Sequence, residues 1–315
     1  MMDALMKTLQ YNIIKIKNIV LLLLTALIWG VAFVAQSVSM DFIQPLTFIF
    51  LRSLIGGLSL IPVILIFDRK AQAGNAVYGK GKVSWWKDKA LITGGIACGI
   101  CFFIANCCQQ TGIQYTTVGK AGFITTFYII IVPLLSLFLK RKCGVLTWIS
   151  VCIALIGLYF LCINETLKIQ QGDFLILLSA VFFALHILVV DHFVQFNDGL
   201  KLSCIQFLIG ALLAILGMLI FEEPQLYLIL QAAAPILYTG LLSTGVGYTF
   251  QIIGQKGINP TIAALILSLE SVFSALSGFI ILHQVLSIRE IIGCILMFAA
   301  IIIAQLPDIS SKKQE

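Results

Sequence analysis

The stretch TTVGKAGFITTFYIIIVPLLSLFL, residues 116–139, decides the fold class of this chain. From Ala121 to Leu139 it carries no charged residue, and that run is long enough for an α-helix to cross the hydrocarbon core of a bilayer. Lys120 stands directly before the run. Its ammonium either reaches the outer headgroups along the helix or faces an interior cavity and binds an anionic group, and the sequence leaves both interpretations open.

Apolar runs of similar length recur along the whole chain. Of the 315 residues 60% are hydrophobic and 11% are charged, and the mean hydropathy is +1.06, which leaves too little polar surface for a soluble domain. The pattern predicts an all-α membrane protein with ten transmembrane helices. The ten spans are expected at 19–38, 45–67, 90–111, 116–139, 144–163, 173–193, 201–221, 232–255, 260–282 and 288–306.

Lysine and arginine are distributed unevenly between the predicted loops. With the N-terminus in the cytoplasm, the inside segments hold 16 of these residues and the outside segments hold 2. Because positive charge stays on the cytoplasmic side, we expect a multi-pass protein of the cell membrane with both termini and the basic loop 68–89 in the cytoplasm. The lipid bilayer then explains the net charge of +6, and no nucleic-acid partner is predicted.

The chain contains a weak internal repeat. A shift of 154 residues superposes the first two spans on the sixth and seventh, and a shift of 145 superposes the third and fourth on the eighth and ninth. The second shift pairs Gln110 with Gln255 and Pro133 with Gly278. Because each copy has five spans, an odd number, the two copies insert with opposite orientation, as in many secondary transporters. The predicted repeats cover 19–163 and 173–306.

Aromatic and amide side chains recur at helical spacing on three spans. They are Trp29, Phe33 and Gln36 on the first span, Phe103, Asn106 and Gln110 on the third, and Tyr248, Gln251 and Gln255 on the eighth. Amides in hydrocarbon are unfavourable unless they find partners. Two interpretations stay open, namely the wall of a substrate cavity and hydrogen bonds that join the helices.

Two cysteines with metal-site spacing, Cys98 and Cys101, lie inside the third span among glycines and alanines. That setting favours close helix packing over a metal or redox site. The chain also lacks a recognisable nucleotide-binding or hydrolytic motif. We therefore predict no metal, no cofactor and no enzymatic activity.

Four stretches, in this order, resemble the drug/metabolite transporter superfamily, and within it the EamA-type permeases. They are ALIWGVAFVAQ (26–36), FLRSLIGG (50–57), GIQYTTVGKAGFITTFYIIIVPLL (112–135) and GINPTIAALILSLESVFSALSGFIIL (257–282). The resemblance covers nearly the whole chain. It implies two EamA repeats, cytoplasmic termini and a central cavity formed by spans 1, 3, 4, 6, 8 and 9. Where the family often has Glu-Pro-Val, this chain has Glu270, Ser271 and Val272.

Four ionisable side chains fall inside predicted spans, where a charge marks a functional candidate. The resemblance places the span of Arg52 at the periphery, so we expect this side chain to bond carbonyls or to reach outward. His186 is either a neutral core histidine or a titrating group. Glu270 lies near mid-span on the same helix face as Ser274, and it is the candidate for proton coupling. A carboxylate there needs a proton, a cationic partner such as Lys120, or a cationic substrate.

These features predict a secondary transporter that moves a small organic molecule by alternating access at the repeat interface. The family resemblance implies export of an amino acid or a similar metabolite. No sequence feature fixes the coupling ion, and protonation of Glu270 is the hypothesis for coupling. Two alternatives stay open, namely efflux of cationic drugs held by Glu270 and a non-transporting scaffold or sensor. The sequence does not fix the oligomeric state. The predicted cavity residues are Trp29, Phe33, Gln36, Phe103, Asn106, Gln110, Lys120, His186, Tyr248, Gln251, Gln255, Glu270 and Ser274.

Overall fold

The computed structural model contains only helices and their connections in the part of the chain that it describes. The described residues are 2–75, 88–116, 118–140, 143–162, 171–281 and 287–306. Eight helical segments are long and apolar enough to cross a membrane, and Val145–Phe160 is a shorter apolar helix. Most of the predicted basic loop, residues 76–87, lies outside the described residues. The predicted fold class, an all-α membrane protein, is confirmed.

The described residues of the first half of the chain form six helices. They are α1 (Met2–Ser39), α2 (Pro45–Asn75), α3 (Lys89–Ile113), α4 (Val118–Thr125), α5 (Tyr128–Phe138) and α6 (Val145–Cys162). The predicted spans 1, 2, 3 and 5 correspond to α1, α2, α3 and α6. The predicted fourth span is a broken helix, α4 followed by α5.

The second half repeats this order, except that its third span contains a π-helix and is preceded by a short helix. Its helices are α7 (Gln171–Val194), α8 (Gly199–Phe221), α9 (Leu226–Gln231), α10 (Ala233–Leu237), a π-helix (Tyr238–Tyr248), α11 (Thr249–Gln255), α12 (Pro260–Leu267), α13 (Glu270–Ile281) and α14 (Ile288–Gln305). The eighth predicted span is therefore partly a π-helix, and the ninth is again a broken helix, α12 followed by α13.

The equivalent helices α2 and α8 pack against each other and run in opposite directions. At one end, the carboxylate of Glu222 accepts hydrogen bonds of 2.7 Å from the backbone N–H groups of Leu46 and Thr47, which begin α2. At the other end, Asp68 lies 2.7 Å from the ammonium of Lys201 in the first turn of α8. A shift of 154 residues converts one pair into the other. The two ends are thus equivalent, and the repeats are inverted.

The first helix of each half also packs against helices of the other half. Helix α1 packs along the π-helix, α11, α12 and α13, while α7 packs along α3, α4 and α5. Gly30 permits the close approach of α1 to α13, because a Cβ atom there would lie 2.6 Å from the Cβ of Phe273 and 2.8 Å from the carbonyl oxygen of Glu270. This exchange places the interface between the halves at the centre of the bundle.

The two broken helices are interrupted at equivalent points. Helices α4 and α12 begin at Val118 and Pro260, and α5 and α13 begin at Tyr128 and Glu270, so both pairs differ by 142 residues. The predicted shift of 145, which paired Pro133 with Gly278, is therefore wrong by three residues in this region. Three residues make almost one helical turn, and polar periodicity alone does not distinguish the two alignments.

Candidate functional site

A cavity lies between the two halves, with walls from both. Its volume is about 30 Å³, where about 10–15 Å³ suffices for one water molecule. The lining residues are Trp29, Phe33 and Gln36 of α1, Arg52 of α2, Gln109 of α3, Thr125 of α4, Tyr128 of α5, Phe183 of α7, Ser243 and Tyr248 of the π-helix, and Glu270 of α13.

Arg52 is the cationic side chain among the described residues that line this cavity, and only 2% of its surface is exposed. Its Nε donates to Thr244 Oγ1 at 2.9 Å, and its Nη2 donates to Ser243 Oγ at 3.3 Å. Its Nη1 donates to Gln36 Oε1 at 3.3 Å and to Asn106 Oδ1 at 3.4 Å. These acceptors are all neutral, so the guanidinium keeps its full positive charge.

The expectation that Arg52 reaches outward is wrong. It bonds two carbonyl oxygens, as the other expectation had it, and these belong to the side-chain amides of Gln36 and Asn106. The guanidinium points to the interior because α1, α3 and the π-helix supply side-chain acceptors there. It also lies over the ring of Phe48, with 5.5 Å between Cζ and the ring centroid. No sequence pattern indicated this arrangement, since the partners are separated from Arg52 by up to 192 residues.

The π-helix positions two of the side chains that bind Arg52. A π-helix is rare and is found most often at functional sites, where it changes the direction of side chains. Its backbone is held against α1, because Trp29 Nε1 donates to the carbonyl of Ser243 at 3.2 Å and Thr25 Oγ1 donates to that of Gly247 at 3.0 Å. A Cβ atom on Gly247 would lie 2.9 Å from Trp29 Nε1, so only glycine permits this contact.

Glu270 is the acidic side chain among the described residues that line the cavity, and 4% of its surface is exposed. Tyr128 Oη donates a hydrogen bond of 3.1 Å to Glu270 Oε1. Among the side chains that the structure describes, no cation lies within 4 Å of this carboxylate. Glu270 is the first residue of α13, where the positive end of the helix dipole favours a negative charge.

Aromatic side chains pack around Tyr248, which lines the cavity. The ring of Tyr248 lies 4.4 Å from that of Trp29 and 4.9 Å from that of Phe102, measured between centroids. Asn106 Nδ2 donates to Tyr248 Oη at 3.4 Å. The Asn106 amide therefore touches both Arg52 and Tyr248, although it does not itself line the cavity.

Three other predicted amides are buried outside the cavity wall. Gln110 Nε2 donates to the carbonyl of Gln36 at 3.2 Å, and Gln255 Nε2 donates to that of Ile187 at 3.0 Å. Each thus joins the third span of its half to the first helix of the same half. Gln251 is also buried, and its Oε1 has no hydrogen-bond partner in the described part of the chain.

The remaining predicted residues have different surroundings. His186 Nε2 lies 2.7 Å from Gln206 Oε1, fully buried behind Tyr248. Phe103 is half-buried and packs on a separate apolar cluster formed mainly by α2, α8 and the α9–α10 region. Ser274 is half-buried on α13 beside Gly30. Lys120 lies in α4, but its side chain is outside what the structure describes.

Five lining residues besides Arg52 were not among the predicted cavity residues. They are Gln109, Thr125, Tyr128, Phe183 and Ser243. Gln109 Nε2 donates to Thr125 Oγ1 at 3.1 Å, so these two polar groups satisfy each other across α3 and α4. No sequence signal marked Thr125 or Tyr128, because the helix break between them was itself not predicted.

The comparison with protein families now decides the assignment. The model of the EamA-like transporter family matches residues 16–163 and again residues 170–305. The chain belongs to the EamA-like transporter family. The resemblance seen in the sequence is therefore confirmed, and the two matches agree with the inverted repeat of this transporter.

Curated relatives and a solved structure agree with this membership. An uncharacterized transporter of Archaeoglobus fulgidus is 29% identical over 90% of this chain and 84% of its own length. Uncharacterized transporter YoaV of Bacillus subtilis is 28% identical over 87% of this chain and 92% of its own length. One crystal structure superposes with a TM-score of 0.72 over 94% of this chain and 99% of the other at 17% identity, a likeness of fold alone.

Proposed function

We propose that this transporter moves a small organic molecule across the cell membrane by alternating access, with the cavity between its halves as the binding site. The observation that carries the proposal is the presence of a basic and an acidic side chain in one buried cavity. Arg52 and Glu270 both line it, and neither has an oppositely charged partner within 4 Å among the described side chains. Buried charges of this kind mark substrate and ion pathways in membrane proteins.

The small size of the cavity supports alternating access. A volume of about 30 Å³ is far below the roughly 300–1,000 Å³ of sites that enclose drug-sized ligands. A cargo therefore enters only when the surrounding helices separate. The inverted halves provide a physical basis for two such openings, because an interface built from equivalent elements has equivalent ways to open on either side.

Export of an amino acid or a similar metabolite, driven by protons, is the specific form of the proposal. Trp29, Phe33 and Tyr248 suit an apolar group on the cargo, and the two charges suit a zwitterion. Glu270 is the proposed proton site, because a carboxylate in this setting is neutralised by a proton or by a cationic group of the cargo. Both termini are proposed to be cytoplasmic, as the charge distribution predicts.

Efflux of cationic drugs is the second candidate. Glu270 beside Trp29 and Tyr248 would suit a lipophilic cation, since aromatic faces and carboxylates both attract positive charge. Arg52 opposes this candidate, because its charge in the same small cavity repels a cation. A non-transporting scaffold or sensor would leave the paired charges without a role.

Counterflow in proteoliposomes tests the proposal. Vesicles that contain the purified transporter are loaded with an unlabelled compound, and uptake of the labelled compound is followed for a panel of amino acids, small organic acids and lipophilic cations. We expect transient accumulation of at least one amino acid or organic acid above the level in protein-free vesicles. Accumulation of lipophilic cations alone would favour drug efflux, and no accumulation of any compound would contradict transport of these classes.

A further inference from the structure

We propose that Arg52 receives a carboxylate group of the cargo and thereby sets the specificity of the site. The transporter would then bind small organic acids or zwitterions and reject analogues in which the carboxylate is esterified or removed. This inference rests on the proposed transport function, since it assigns the binding role to one residue of the same cavity.

The first argument is that the charge of Arg52 is not cancelled. Four of its five N–H groups reach neutral oxygens of Gln36, Asn106, Ser243 and Thr244, and the second N–H of Nη2 has no described acceptor. A guanidinium with only a structural role in a membrane helix is expected to pair with a carboxylate, because an isolated buried charge is unfavourable. An anionic ligand would supply the missing charge.

The second argument is geometric. The bond from Nε to Thr244 is 2.9 Å, whereas the three bonds from Nη1 and Nη2 are 3.3–3.4 Å. The short bond to Thr244 therefore holds the Nε atom of the guanidinium in place. The weaker bonds lie at the two terminal nitrogens, which are the atoms that grip a carboxylate through two parallel hydrogen bonds.

The third argument comes from the repeat. The position equivalent to Arg52 in the second half, 154 residues further on, is Gln206, which is neutral and pairs with His186. An arginine is therefore not required by the packing of this helix pair. The charge is present on only one side of the symmetric core, and it faces the cavity.

Glu270 would provide a second contact, for a positively charged group of the cargo. A zwitterion would place its carboxylate at Arg52 and its ammonium towards Glu270, with its apolar part against Trp29. A simple organic acid, which has no ammonium group, would contact Arg52 and not Glu270. Both kinds of cargo share the carboxylate, and the inference commits to that group.

Binding is measured separately from flux. Failure of the Arg52 proposal can then be distinguished from failure of the proposed transport function. The midpoint of thermal unfolding of the purified transporter is followed with four related compounds, namely L-leucine, 4-methylpentanoate, L-leucine methyl ester and 3-methylbutylamine. A ligand that binds the folded state raises the midpoint. We expect stabilisation by leucine, by 4-methylpentanoate or by both, and none by the ester or the amine at the same concentration.

Variants of Arg52 assign the effect to this residue. Arg52→Gln should weaken carboxylate binding about tenfold or more, and Arg52→Lys, which keeps the charge without the planar fork, should give an intermediate loss. Arg289→Gln is the matched control, because Arg289 lies in α14 over the ring of Tyr159 and does not line the cavity. Unfolding of each variant without ligand shows whether it is folded, and Arg52→Lys serves if Arg52→Gln is not.

The outcomes separate clearly. The inference is supported if carboxylates stabilise the wild type and Arg289→Gln but do not stabilise the Arg52 variants. Wild-type protein that neither carboxylate stabilises, or an Arg52→Gln variant that binds them as the wild type does, overturns it. Counterflow of a compound whose ester is carried equally well also overturns it while the proposed transport function stands.

Discussion

Tyr128 and Glu270 occupy equivalent positions in the two inverted halves, and their side chains meet at the centre of the molecule. The hydrogen bond from Tyr128 Oη to Glu270 Oε1 measures 3.1 Å. Both residues begin the second part of a broken helix, and they are 142 residues apart, like the starts and the ends of α4 and α12. Equivalent residues that touch lie next to the axis that relates the halves, so this pair marks the point about which the proposed alternating movement would be symmetric.

Glu270→Gln is expected to abolish proton-driven flux and to retain exchange of cargo for cargo. The glutamine resembles a permanently protonated glutamate, and exchange needs no net movement of protons. Flux driven by a pH gradient and exchange at equal pH are compared in the same vesicles. Normal proton-driven flux in Glu270→Gln would remove this residue from the coupling mechanism.

Lys120 offers a different role for the same carboxylate, and a double variant tests it. If Glu270 neutralises Lys120, Glu270→Gln leaves a lone ammonium, and loss of one partner from a buried pair costs about 3–5 kcal/mol. Adding Lys120→Met would then restore thermal stability. We expect no such rescue, because the Tyr128 hydroxyl donates to Glu270 Oε1 at 3.1 Å and gives this carboxyl group a neutral partner.

Tyr128→Phe should destabilise the folded protein by about 1–3 kcal/mol, since it leaves one oxygen of Glu270 without its hydrogen bond. Tyr159→Phe is the control, because that ring is exposed on α6. Thermal unfolding in detergent measures both. Equal stability of Tyr128→Phe and the wild type would contradict a role for this bond in holding the two halves together.

Gly30→Ala should destabilise the protein by about 1–3 kcal/mol. The new methyl group would lie 2.6 Å from Phe273 Cβ and 2.8 Å from the backbone oxygen of Glu270, and backbone cannot move aside easily. Gly122→Ala is the matched control, because no atom lies within 4 Å of a Cβ atom there. The close contact of α1 with α13 would be disproved if the two alanine variants unfolded at the same temperature.

The two ends of the α2–α8 pair should respond differently to loss of their carboxylates. Glu222→Ala removes three hydrogen bonds from the first turn of α2, and loss of such a cap costs about 0.5–2 kcal/mol. Asp68→Ala removes a half-exposed ion pair with Lys201, worth about 0–1 kcal/mol. We expect Glu222→Ala to unfold at a lower temperature than Asp68→Ala. The reverse order of the two unfolding midpoints would contradict this expectation.

Hydropathy located the spans because membrane crossing requires length and apolarity, which are properties of consecutive residues. It did not locate the breaks at Thr126–Phe127 and Ser268–Leu269, or the π-helix, because these depend on contacts between distant segments. The repeat register failed for a related reason. A slip of three residues keeps nearly the same helix face towards the core, so the pattern fits either alignment.

The cavity was predicted in part. Trp29, Phe33, Gln36, Tyr248 and Glu270 were predicted and line it. Gln109 was missed while its neighbour Gln110 was chosen, because neighbouring residues differ by about 100° around a helix and the spacing rule selected the wrong one. The orientation of Arg52 was not predictable from its own helix, since its four acceptors come from three other elements.

The central claim is that cargo passes through the cavity between the halves, and counterflow by a variant with a filled cavity tests it most directly. Ser243→Trp puts a large ring into a cavity of about 30 Å³, while Leu216→Trp puts the same ring on an exposed face of α8. For a compound that the wild type carries, we predict that Ser243→Trp reduces counterflow to the level of protein-free vesicles and that Leu216→Trp leaves it unchanged. A folded Ser243→Trp variant with wild-type counterflow would contradict this account.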